Sequence, residues 1–282
     1  MLRGGRFVVN VIKLSAPATK EFWEIPVLFE DEHLLALDKP AGLLTSPDRY
    51  AAARTNLMTL LHEAIAAGKP WARERGLTYL SNAQRLDVET SGVLLLAKTK
   101  PVLVALADMF GTEQPQSNYF ALIAGLPSSD RFEMDAKLTL TAGSLTLVRV
   151  DSLSGKRSKT VFEVTEKFSG YTALRCFPKT SRTHQIRVHL RHAGFPIVGD
   201  TLYGGKPLWL SRLKKDFRLK PGREERALIS RVALHAEQLS LTHPVTQQPV
   251  VISAPLPKDL RVALRYLREF RGGGPRPDEP GD

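Results

Sequence analysis

The chain has 282 residues, enough for one large domain or two small ones, with 43% apolar and 24% charged residues. That balance excludes wholesale disorder and a fibrous fold, and no run approaches the roughly 20 apolar residues of a membrane span. Lys and Arg number 40 against 29 Asp and Glu, a net charge of +11, which favours a polyanionic partner such as nucleic acid.

Residues 1–24, with Arg3, Arg6, Lys13 and Lys20 and no acid before Glu21, lack a clear helical period and read as a short leader of strand-like character. The folded body is expected from Ile25. LLALDK at 34–39 reads as a buried strand closed by the turn Pro40-Ala41-Gly42. Residues 57–67 put Leu57, Leu60, Leu61, Ala64 and Ile65 on one helical face, with Gly68 as the stop. VLLLAK at 93–98 is a second buried strand, and Thr99 caps a helix from Pro101 to Phe110, stopped by Gly111. YFALIA at 119–124 is a strand. Residues 137–150 and 160–177 read as two hairpins, turning at Ala142-Gly143-Ser144 and at Ser169-Gly170. A short helix at 184–193 starts from a Thr183 cap and stops at Gly194, and Leu260, Ala263, Leu264, Leu267 and Phe270 recur at helical spacing. Residues 271–282 read as a disordered tail. Hairpin-linked strands interrupted by single helices predict an α+β fold in one domain, 25–270, with a mixed, mainly antiparallel sheet flanked by helices.

Cys176 is the sole cysteine, so an intrachain disulfide and a cysteine-rich zinc site are both excluded, which fits a reducing cytoplasm. The sequence lacks a GxxxxGK(S/T) loop and a GxGxxG turn after a strand, so neither phosphate cradle nor dinucleotide fingerprint is present. His189 and His192 sit three apart. Without an HExxH pattern or a nearby cysteine they point to phosphate or core contacts rather than a metal. No cofactor and no metal are expected.

Asn82-Ala83-Gln84-Arg85-Leu86-Asp87-Val88-Glu89-Thr90-Ser91-Gly92 leads into VLLLAK and holds an acid among small, hydrogen-bonding residues just before a buried strand. Rigid scaffolds present catalytic groups on such loops. The same residues suit an Asx-type turn with Arg85 in a surface ion pair, and the residue pattern alone leaves both readings open.

RLDVETSGVLLLAK resembles the RLD-x-x-TSG-x-x-x-x-AK signature of RluA-type pseudouridine synthases. Further blocks agree in order: ALDKPAGLLT at 36–45, NYFALIAG at 118–125, SRTHQIRVHLRHAGFPIVGDTLYGG at 181–205 and LHA at 234–236. The resemblance covers roughly residues 25–256. It implies an RNA pseudouridine synthase, which cuts the C1′–N1 bond of a uridine within RNA, turns the uracil and rejoins it through C5. Ribosomal RNA ranks ahead of transfer RNA as substrate, and a cytoplasmic monomer without cofactor or membrane partner is expected.

By this resemblance Asp87 is the catalytic aspartate, a covalent catalyst, with attack at C6, attack at C1′ and a glycal route all open. Arg187 matches the basic residue that pairs with it, Tyr119 the tyrosine stacked on the target base, and Leu234 the apolar wall on the base's other side. Arg85 matches the residue that fills the gap left by the extruded nucleotide. Lys39, Arg182 and His184 are candidate RNA contacts. Gln84 stands where the family usually has His. The N-terminal S4 RNA-binding domain of many members has no counterpart in the two dozen or so residues before the first block.

RNA affinity is therefore expected from the catalytic domain and a basic insertion at 206–231. That insertion holds Lys206, Arg212, Lys214, Lys215, Arg218, Lys220, Arg223, Arg226 and Arg231 against Asp216, Glu224 and Glu225, a net +6, with Trp209 and Phe217 among the charges. Lys214, Lys215 and Arg218 are its candidate phosphate contacts; a solvated loop is the bland alternative. Two rivals remain. One is a catalytically inactive RNA-binding paralogue, opposed by intact Asp87, Tyr119 and Arg187. The other is an RNA methyltransferase, whose Gly-rich cofactor loop the sequence lacks.

Overall fold

The computed structural model describes residues 11–48, 54–144, 146–220 and 222–270. The expected tail, 271–282, and the first ten residues of the expected leader lie outside them. The described chain falls into two compact units, residues 11–115 with 238–254 and residues 116–237 with 255–270.

Strand alternation begins before Ile25. In Val11–Ala16 (β1) every second residue, Ile12, Leu14 and Ala16, is buried, the period of a half-covered strand. β1 pairs antiparallel with Glu21–Glu30 (β2), from Val11 opposite Pro26 to Ala16 opposite Glu21. The leader expected at 1–24 is thus corrected from Val11 onward: its apolar side chains need cover, and the hairpin supplies it. Leu34–Lys39 (β3) pairs with β2. Leu57–Ala66 (α1) starts at Asn56, whose Oδ1 accepts from the Thr59 N–H at 2.9 Å, and Pro70–Glu74 (α2) follows. The short Ser81–Asn82 (β4) and β3 both pair with Ser91–Ala97 (β5), which is buried at every position and therefore reads as a continuous apolar run. Lys100–Gly111 (α3) sets Val102 and Leu106 against Leu34, Ala36, Val93 and Leu95.

The second unit carries Gln116–Ala124 (β6), Arg131–Asp135 (β7), Leu138–Leu140 (β8), Val148–Val150 (β9), Lys159–Lys167 (β10) and Tyr171–Pro178 (β11). Four of these pair antiparallel in the order β6-β11-β10-β7, and β8 and β9 form their own two-stranded sheet. Gln185–His192 (α4) follows. His184, not Thr183, occupies its N-cap, in the left-handed conformation at φ 55°. After the 3-10 turn Thr201–Tyr203 and the single-turn Leu210–Leu213 (α5), Leu234–Thr242 (β12) takes the chain back into the first unit, where it pairs antiparallel with Pro249–Ser253 (β13). Lys258–Glu269 (α6) returns to the second unit and buries Leu260, Ala263, Leu264 and Leu267 beside Leu122, Phe162 and Leu174. The expected α+β class, mainly antiparallel sheet with a few helices, is what the structure shows.

Candidate active site

Asp87 lies on the loop between β4 and β5 in the first unit, and the chain on both sides of it is tied down. The Thr45 hydroxyl donates to the Leu86 carbonyl (2.9 Å) and accepts from the Leu86 N–H (3.2 Å). The Val88 carbonyl accepts from the Gly42 N–H (2.7 Å) and from Lys39 Nζ (3.3 Å). Asp87 itself opens a turn, its carbonyl accepting from the Thr90 N–H at 3.1 Å. Gly42 sits at φ +87°, which explains glycine after Lys39-Pro40-Ala41. Asp87 is half-buried and Arg85 exposed.

Gln84 extends this clamp. Its Oε1 accepts from the Leu95 N–H (3.3 Å) and its Nε2 donates to the Val93 carbonyl (3.4 Å), so a side-chain amide takes a rung on β5. Asn82 Nδ2 donates to the Gln84 carbonyl (2.9 Å), and the Ser46 hydroxyl bonds to Asn82 Oδ1 (3.0 Å).

Lys39 corrects the expectation of an RNA contact. The residue is 0% exposed, and its ammonium donates to the carbonyls of Pro40 (2.8 Å), Leu43 (2.7 Å) and Val88 (3.3 Å). A buried ammonium needs its donors satisfied, and these carbonyls do so while stitching the 40–43 turn to the Asp87 loop.

Arg187 belongs to the second unit, on α4, and is buried. Its Nε and Nη2 fork onto Asp200 Oδ2 (2.7 Å) and Oδ1 (2.8 Å), and its Cζ lies 5.0 Å from the Tyr203 ring centroid. The Tyr203 hydroxyl accepts from the Val148 N–H (3.0 Å) and lies 2.8 Å from His184 Nδ1. His184, Arg187, Asp200 and Tyr203 are thereby knitted together. The signal that could have found Asp200 was its place in GDTLYGG, within the long 181–205 block.

Tyr119 is on β6, opposite Cys176 of β11, and is half-buried. Leu234 opens β12 and is 4% exposed, packed in the second unit's core. Arg182 is exposed and bonds the carbonyls of Arg157 (3.3 Å) and Ser181 (3.1 Å). In the basic insertion, Leu208, Leu213 and Ile229 are buried, and the Leu208 N–H donates to the Ile229 carbonyl (2.9 Å), closing the base of the loop. Lys214, Lys215 and Arg218 are exposed beyond it. Arg231 is different: it forks onto Asp259 (2.7 and 3.2 Å) and works as scaffold.

His189 is fully buried between Ser158 Oγ and Thr160 Oγ1, each 3.0 Å away. Ser158 donates to the Ala136 carbonyl, and Thr160 Oγ1 accepts from Gln185 Nε2, so the ring donates through Nε2 and accepts at Nδ1. Burial pushes its pKa down to about 4. Burial likewise lifts the Asp38 carboxyl to about 6 and raises the Cys176 thiol. Among the described residues no group of three or more His, Cys, Asp or Glu could hold a metal ion, and no helix is long and apolar enough to cross a membrane.

A family profile described as RNA pseudouridylate synthase matches residues 33–192. The chain is 36% identical over 279 residues to the "Ribosomal large subunit pseudouridine synthase D" of Xanthomonas campestris pv. campestris, covering 95% of this chain and 77% of that protein. It is also 36% identical over 247 residues to the "Ribosomal large subunit pseudouridine synthase C" of Escherichia coli K12, covering 87% and 70%. Among solved structures, Human RNA Pseudouridylate Synthase Domain Containing 4 matches with a TM-score of 0.63 at 21% identity, over 86% of this chain and 92% of that one. Human RNA Pseudouridylate Synthase Domain Containing 1 matches with a TM-score of 0.58 at 20% identity, over 99% and 100%. These two likenesses concern the fold.

Proposed function

We propose, since the chain belongs to the RNA pseudouridylate synthase family, that it isomerises uridine to pseudouridine in ribosomal RNA, with Asp87 as covalent catalyst. The observation that carries this reading is the clamp on the catalytic loop. Leu86 is bonded through both its N–H and its carbonyl to Thr45, and Val88 through its carbonyl to Gly42 and Lys39. A carboxylate that must meet one atom of a flipped base gains from a backbone fixed before substrate arrives.

The remaining roles follow the family pattern. Arg187 serves the aspartate as its cation, Tyr119 stacks on the base and Leu234 lines its other side. Arg85 takes the space of the extruded nucleotide. Arg182, His184, Lys214, Lys215 and Arg218 hold RNA, the last three by phosphate contact. We assign the enzyme to the cytoplasm as a monomer.

The test uses ribosomal RNA transcripts carrying tritium at uridine C5. C5 becomes the glycosidic carbon, so its hydrogen must leave, and the wild-type protein should release label to water without any added cofactor. Asp87→Asn, an isosteric change, should bind the transcript and release none. Turnover by a clean Asp87→Asn protein would remove Asp87 from its role, and a wild-type protein that binds but never releases label would favour the inactive paralogue.

A further inference from the structure

Residues 197–206 form a loop centred on the main chain of Asp200. The Asp200 N–H donates to the Ile197 carbonyl (3.1 Å), while its own carbonyl accepts from the N–H groups of Tyr203 (3.0 Å) and Gly205 (2.8 Å). The Gly199 N–H donates to the Lys206 carbonyl (2.9 Å) and closes the loop. Both flanking glycines are forced. A Cβ on Gly199, at φ +77°, would lie 1.9 Å from the Arg231 carbonyl oxygen, and one on Gly205 would lie 1.9 Å from that of Ile197. Gly199 and Gly205 thus leave no space for a side chain, and the Asp200 side chain, 1% exposed, ends in the fork on Arg187, itself 5% exposed.

Stability is a poor reason for such a seat. Desolvating two charges offsets most of their attraction, and an apolar pair of similar volume serves a core as well. What a planar fork gives that an apolar contact cannot is direction. Bonds at Nε and Nη2 hold one edge of the guanidinium, and the Tyr203 ring lies against its face, which fixes the plane and the heading of the opposite edge. The pair is also neutral as a whole, so Arg187 acts at short range through its hydrogens more than as a long-range positive charge.

We propose that Asp200 is a positioning residue for pseudouridine formation: it aims the Arg187 guanidinium and acts through it, without touching RNA. The proposal rests on the role given to Arg187 above. Three variants test it by single-turnover tritium release at saturating ribosomal RNA, with RNA affinity measured beside it. Asp200→Asn should slow the chemical step by about 10-fold or more while RNA affinity stays within about threefold. Arg187→Met should be slow, and Arg187→Met with Asp200→Asn should be no slower than Arg187→Met alone, because two residues that act as one unit are not additive.

An Asp200→Asn enzyme as fast as wild type overturns the proposal, and so does a double variant markedly slower than Arg187→Met. If Asp200→Asn does not fold, the double variant, which removes the orphaned cation with its partner, must fold and match Arg187→Met; failure of the double to fold shows that Asp200 holds the loop for its own sake and overturns it. A fast Arg187→Met enzyme removes the parent assignment as well, whereas a slow Arg187→Met beside a fast Asp200→Asn removes only this one.

Discussion

Lys39 in the first unit and Arg187 in the second each bury a full positive charge inside a motif block, and their partners differ in kind. Lys39 ends on the carbonyl dipoles of Pro40, Leu43 and Val88. Arg187 ends on the carboxylate of Asp200. An ammonium is a compact charge with three rotatable donors, so it draws loops together without caring how they are turned. A guanidinium is a flat fork, and a bidentate carboxylate fixes its plane. The first arrangement sets the shape of a loop; the second sets a direction. His189 is a third solution, a buried base that stays neutral between two hydroxyls, and the exposed lysines of 206–231 are the opposite limit, cations left to water and to whatever anion arrives.

The contrast is broken most directly at Arg187. Arg187→Met leaves the Asp200 carboxylate without its fork in a dry site, and urea unfolding should show a loss of about 3–5 kcal/mol. Its product formation, measured where the variant is folded, should fall by about 10²-fold. An unchanged unfolding midpoint would show that the fork carries no energy.

Lys39→Met leaves the carbonyls of Pro40, Leu43 and Val88 without this donor, and the loss should be about 2–3 kcal/mol. Amide exchange should accelerate at Leu86 and Thr90, whose bonds belong to the loop that Lys39 stitches. Stability and exchange equal to wild type would mean that Thr45 and Gly42 hold the loop alone.

His189 makes the comparison depend on pH. Its folded pKa, about 4, lies below the ordinary 6.5, so between these values the unfolded chain binds the extra proton. The stabilising contribution is complete above pH 6.5 and is lost as pH falls towards 4. The stability difference between wild type and His189→Asn should therefore narrow by on the order of 1–3 kcal/mol from pH 7 to 4.5. A difference that stays constant would show the ring charged inside the fold.

The smallest effect is expected at the exposed cations. Changing Lys214, Lys215 and Arg218 together to Gln should weaken RNA binding and flatten log K against log salt by roughly 0.7 per lost single-strand contact. An unchanged slope would make the insertion a solvated loop.

Local patterns made much of the fold legible. The apolar face of α1, the two hairpins at 137–150 and 160–177 and the helical spacing of α6 are all written in neighbouring residues. β2 was not, because EFWEIPVLFE does not alternate cleanly and carries Pro26; its half-buried run is explained by two flanking strands. The site divides the same way. Asp87 and Arg187 both stand out by the family blocks that hold them, since the loop around Asp87 suits an Asx-type turn equally well. The burial of Lys39 has no sequence signal, since one of its acceptors, Val88, lies 49 residues away. His184 as a left-handed cap was equally hidden, because the hydroxyl that fixes its ring comes from Tyr203, 19 residues on.

The return of the chain at 238–254 also imposes an order of manufacture. Leu239, Leu241 and Ile252 complete the core begun by Leu34, Ala36, Val93 and Leu95, yet all of 116–237 is made in between. At roughly 5–20 residues per second, a ribosome leaves the apolar faces of β3 and β5 without those partners for on the order of ten seconds. The second unit waits too, because Leu260, Ala263, Leu264 and Leu267 of α6 emerge after everything else they pack against. Each unit therefore completes its core only near the end of synthesis, the first with β13 and the second with α6.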